Sequence, residues 1–87
     1  MATKKKQIET KYSNYSIAAI AAVIRHEWKN VYFGAKPYLD AMFSLTSIRD
    51  NYGMDSGRDI VLYALSNMSG FKGEIAREVK KELNARL

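Results

Sequence analysis

Residues 16–31, SIAAIAAVIRHEWKNV, decide the fold. Ile17, Ile20, Ala21, Ile24, Trp28 and Val31 recur in steps of three and four, which places them on one stripe of a helix. Ala18, Ala22, Arg25 and Lys29 fall on other faces, and the small alanines allow a neighbouring helix to approach closely. Ser13, Asn14 or Ser16 suits the start, because a short side-chain oxygen accepts a free first-turn N–H. Gly34 is expected to end the segment in a left-handed conformation. Trp28 and Phe33 are expected in the core. Tyr32 and Tyr38 are expected at its edge, where a phenolic hydroxyl finds a polar partner.

The rest of the chain repeats this pattern in shorter pieces. Pro37 suits the first turn of a second, short helix, with Leu39, Met42, Phe43 and Thr46 on its buried side. Asp50-Asn51-Tyr52-Gly53 reads as a turn. Ser56 and Asp59 stand three apart, as in a capping box, and start a third helix on Ile60, Val61, Ala64, Leu65 and Met68. Ser69-Gly70 stops it. A fourth helix is expected from Phe71 or Lys72 onward, carried by Ile75, Val79 and Leu83. Glu74 with Arg77, and Glu78 with Lys81, are spaced as surface pairs. Strand signals are scarce, and Val31-Tyr32-Phe33 is the best of them. The expected fold is all-α, a compact bundle of four helices, two of them short. So small a core leaves apolar faces over, and a homo-oligomer is expected to bury them.

The chain has 87 residues, no cysteine, one histidine and a formal charge of +5. One domain is all this length allows. Residues 1–12 are expected to form a flexible basic tail ahead of a single helical domain at 13–87. Much of the positive charge sits in that tail, on Lys4, Lys5, Lys6 and Lys11 against Glu9. The body is only mildly basic, so a surface that coats DNA is not required. No apolar run approaches the ~20 residues of a membrane span, and the protein is expected to work in the cytoplasm, away from membranes.

Several chemistries are excluded by counting. No thiolate exists to hold a metal or attack a substrate. His26-Glu27 opens like a zincin motif, but Asn30 stands where the second histidine belongs. An EF-hand read from Asp50 has Tyr52 at its third position and Asp55 where glycine is needed. His26 is the sole candidate base, with no spacing that ties it to a serine and a carboxylate. No phosphate-cradling glycine loop occurs. Neither an enzyme nor a cofactor or metal requirement is expected.

Two segments suit a ligand. Residues 25–38 interleave Trp28, Tyr32, Phe33 and Tyr38 with Arg25, Lys29 and Lys36. Aromatic faces stack on bases and cations neutralise phosphate, and the segment leads into the start of the second helix, where free N–H groups favour an anion. Residues 66–77 join the last two helices through a glycine-flanked corner bearing Asn67, Lys72 and Arg77, which suits a phosphate or carboxylate. The candidate ligand residues are therefore Arg25, Tyr32, Lys36, Tyr38, Asn67, Lys72 and Arg77. A helix-turn-helix DNA reader has the right scale over the last two helices, but Glu74, Glu78 and Glu82 would repel phosphates.

Tyr38-Leu39-Asp40-Ala41-Met42, Tyr52-Gly53-Met54-Asp55-Ser56, residues 60–67 (IVLYALSN) and Gly73-Glu74-Ile75-Ala76-Arg77, with Lys80 or Lys81 and Leu83, resemble a family of small all-helical bacteriophage and prophage proteins. The resemblance spans about residues 24–87. It implies a setting and no catalytic signature. Compact phage proteins of this kind act stoichiometrically against host defence. The expected function is sequestration of a phosphate-bearing small ligand, such as a cyclic nucleotide immune signal. The alternatives are inhibition of a host defence enzyme such as a CRISPR effector, and regulation through DNA or RNA binding.

Overall fold

The computed structural model describes residues 10–87. Its order is α1 (Ile17–Glu27), α2 (Lys36–Met42), β1 (Asn51–Tyr52), β2 (Asp55–Ser56), α3 (Gly57–Ser66) and α4 (Glu74–Arg86). The four helices were legible in the sequence; the two-stranded hairpin was not. α2 packs on α3 and α1, and α4 packs on α1. Ile17, Ile20, Ile24, Leu39, Met42, Leu45, Val61, Met68, Val79 and Leu83 are fully buried at their junction. Full burial of each large apolar side chain stabilises by about 1.5–3 kcal/mol.

The helix ends follow local chemistry. Ser16 caps α1, its hydroxyl accepting from the Ala19 N–H at 3.0 Å. Ser56 caps α3, accepting from the Asp59 N–H at 3.1 Å. The expected stop of α1 is corrected. It ends at Glu27, before Val31, and no left-handed Gly34 is involved. Trp28 takes an extended conformation (φ −93°, ψ 96°) and stacks on Phe71 with ring centroids 5.4 Å apart. That tertiary contact outweighs one more helical turn. α4 likewise starts at Glu74, because Phe71 turns into the core and Gly73 adopts φ 111°.

Two other expectations are overturned. Phe33 is 76% exposed, where a core position was expected. Phe43 and Thr46 face solvent, and Leu45 fills the place beneath α2. Val31-Tyr32-Phe33, the best of the scarce strand signals, forms no strand; the small sheet lies where a turn was expected, β1 pairing β2 with Asn51 opposite Ser56 and Tyr52 opposite Asp55. Gly53 at φ 61° is the only positive-φ residue in that turn, the type II′ pattern that suits strand twist.

The fold also begins earlier than residue 13. Tyr12 is buried, and Thr10 Oγ1 donates to Glu82 Oε1 at 2.8 Å, so these residues belong to the body. The expectation for Lys4, Lys5 and Lys6 lies outside the described residues. Among the described residues, neither Glu74 with Arg77 nor Glu78 with Lys81 forms an ion pair; α4 pairs Glu82 with Arg86.

Gly57 is fixed by its neighbours. Its N–H donates to the Asp50 carbonyl at 2.6 Å, and a Cβ there would meet Asp50 O at 2.7 Å and Ile48 O at 2.9 Å. Both obstacles are backbone. Gly57→Ala should therefore cost about 1–3 kcal/mol as overpacking, read as a lower urea midpoint at unchanged slope.

Candidate anion-binding face

The corner between α3 and α4 is built from the inside outward. Met68 is fully buried and its carbonyl accepts from the Phe71 N–H at 2.9 Å, which turns the Phe71 ring inward. Gly73 then reverses the chain into α4. One helical face of α4 brings Ala76, Arg77 and Lys80 against the corner, and Lys80 Nζ donates to the Phe71 carbonyl at 2.7 Å. The resulting open depression, about 320 Å³, is lined by Ser69, Phe71, Lys72, Gly73, Ala76, Arg77 and Lys80. It holds three cations and no carboxylate. Burial, and then the neighbouring Lys72 charge, hold the Lys80 ammonium below its ordinary pKa.

A second basic depression, about 480 Å³, lies where α1 stops. It is lined by Arg25, Trp28, Lys29, Asn30, Val31 and Lys36, again without a carboxylate. Arg25 is partly neutralised from outside, since its Nη1 lies 3.0 Å from Asp40 Oδ1. Both groups of that pair are substantially exposed, so the attraction is worth little in water. The start of α2 contributes less than its sequence suggested. The helix has seven residues and no side-chain cap, too short for a substantial dipole.

A third depression of about 410 Å³ is lined by Tyr32, Ser66, Asn67, Ser69 and Gly70, and shares Ser69 with the α3–α4 corner. Gly34 makes this arrangement possible. A Cβ there would sit 2.6 Å from Tyr32 Cε2 and 3.1 Å from Asn67 Oδ1. Asn67 Nδ2 donates to the Tyr63 carbonyl at 2.8 Å, holding the side chain against α3. Tyr32 packs on Phe33 at 4.9 Å between centroids.

The seven candidate residues thus separate into pairs. Arg25 lies with Lys36, Tyr32 with Asn67, and Lys72 with Arg77. Tyr38 stands apart, half-buried with its ring 5.4 Å from Tyr63 in the α2–α3 packing. Lys29 was read in its segment but not among the candidate ligand residues, and it joins Arg25 from beyond the end of α1. Lys80 was missed, although it stands three after Arg77 in α4, the spacing that shares a helix face.

Other chemistry is sparse. His26 is exposed, its Nδ1 3.1 Å from Glu27 Oε2. Among the described residues no three His, Asp or Glu side chains gather as metal ligands, and no helix is long and apolar enough to cross a membrane. No buried side-chain nitrogen or oxygen among them lacks a hydrogen-bond partner, so the polar groups available to a ligand are at the surface. No family model, no curated protein and no solved structure matches the chain.

Proposed function

We propose that this protein is a non-enzymatic binder that sequesters a phosphate-bearing small ligand at the α3–α4 corner. The carrying observation is the cluster of Lys72, Arg77 and Lys80 in one depression with no carboxylate among its lining residues. Like charges held together repel, which adds to burial in lowering the Lys80 pKa, and a bound phosphate relieves that repulsion. In the phage setting that the sequence resemblance implies, the ligand is a nucleotide signal of host defence, and the protein acts by occupancy as a homo-oligomer. A native mass spectrum of protein purified from signal-producing cells would record subunit number and retained ligand together.

The direct test is calorimetric titration with inorganic phosphate and pyrophosphate. The K72Q/R77Q variant should bind at least tenfold more weakly than the parent with little change in melting temperature, because both side chains are exposed. Equal binding by parent and variant would remove the corner as the site. The pH dependence has a defined sign. The protonated Lys80 binds an anion and the neutral amine does not, so affinity should fall as pH rises through the Lys80 pKa, which lies below the ordinary lysine value of 10.5. Lys80→Arg, which stays charged, should flatten that fall.

A further inference from the structure

Taking the phosphate-binding reading as its base, we propose that the ligand is a nucleoside flanked by two phosphates, as in a short oligonucleotide, linear or ring-closed. One phosphate sits at Lys72, Arg77 and Lys80. The other sits at Arg25, Lys29 and Lys36, and the base between them rests on Tyr32 and Phe33.

The two basic depressions form a pair. Each holds three cations and no carboxylate among its lining residues, and among the described residues Arg25 alone of the six pairs with a carboxylate, Asp40. The stacked Trp28 and Phe71 rings form a wall common to the two, since Trp28 borders one and Phe71 the other. A single phosphate neutralises one cluster and leaves the other. Two linked phosphates neutralise both, and the second contact forms at the high effective concentration that linkage provides.

The surface that adjoins both clusters along the chain and through Ser69 has the chemistry of a base platform. Tyr32 follows directly on Val31 of one depression, and Ser69 lines both the middle depression and the α3–α4 corner. Tyr32 is 48% and Phe33 76% exposed, in a chain whose other phenylalanine near this face, Phe71, is 3% exposed. Exposed aromatic faces beside a cationic track are how proteins hold unpaired bases. Asn67 adds a reader of base edges. Its amide nitrogen is committed to the Tyr63 carbonyl, which turns Oδ1 towards Gly34 and the Tyr32 ring as an acceptor for an exocyclic amine.

Titrations of the whole chain at fixed salt should compare inorganic phosphate, AMP, 5′-phosphorylated linear diadenylate and cyclic diadenylate. At least one dinucleotide should bind tenfold or more tightly than AMP. A preference for the linear form identifies strand ends as the source, and a preference for the ring identifies a cyclic signal. The K29Q/F33S variant should lose at least tenfold in dinucleotide affinity at an unchanged melting temperature. Equal affinities for AMP and both dinucleotides, or an unaffected variant, overturn the two-phosphate proposal alone. Failure of phosphate itself to bind overturns the reading on which it rests.

Discussion

Arg86→Ala is expected to cost about 3–5 kcal/mol, because it strands a buried charge. Glu82 is 5% exposed, and its two oxygens are held by Arg86 Nε at 2.6 Å and Thr10 Oγ1 at 2.8 Å. Arg86 Nη2 also donates to the carbonyls of Tyr12 at 3.0 Å and Ser13 at 3.3 Å. Truncation removes all of these arginine contacts at once. It leaves the Glu82 carboxylate out of water with one hydroxyl for company. At about 4–8 °C per kcal/mol for a domain of this size, the melting temperature should fall by at least about 12 °C. Circular dichroism on heating measures this. An E82L/R86M double variant should recover most of the loss, since burying two apolar groups leaves no charge unpaired. A single-variant loss under about 1 kcal/mol would mean the pair is solvated like a surface ion pair.

Trp28→Ala should cost a similar amount, about 3–5 kcal/mol for a buried aromatic. The ring is 7% exposed and lies nearly parallel to Phe71, at an interplanar angle of 25°. Stacking adds roughly 0.5–1.5 kcal/mol beyond burial. The loss should appear as a lower urea midpoint with an unchanged slope. Trp28→Phe keeps much of the stack and should cost well under half as much. Gly70→Ala checks the same contact from the other side. Its Cβ would lie 3.7 Å from Trp28 Cζ2, ordinary van der Waals contact, so that variant should leave stability nearly unchanged.

These two residues also show what the sequence could and could not disclose. The stripe of Ile17, Ile20, Ile24 and Trp28 identifies the core face, because burial repeats with the helical period. The serine caps at positions 16 and 56 are local chemistry and were equally legible. The end of α1 was not, because it depends on Phe71, more than forty residues away in the chain. Periodicity places Val31 on the stripe, yet the chain leaves the helix to seat Trp28. Phe33 shows the opposite failure. Its apolar type says core, yet it lies outward beside Tyr32, 76% exposed. The hairpin went unread because its strands are two polar-leaning residues each, too short for an alternating pattern. At the candidate face, the right segments were named, but their grouping was not. Each cluster of cations comes from one stretch of chain, but that the two clusters share a wall depends on the Trp28–Phe71 contact, which joins distant segments.

The start of α1 has a consequence for motion. The Ile17 N–H donates to the Thr46 carbonyl at 3.0 Å and the Ala18 N–H to the Leu45 carbonyl at 2.9 Å. First-turn amides normally exchange their hydrogens with solvent quickly, since nothing in the helix itself holds them. Here two of them are clamped by the segment that follows α2. They are released only when that segment lifts away, which also exposes Leu45. Deuterium uptake at these two positions therefore reports on the joint opening of α1 and the segment after α2, and so on whether the molecule breathes in parts or as one cooperative unit.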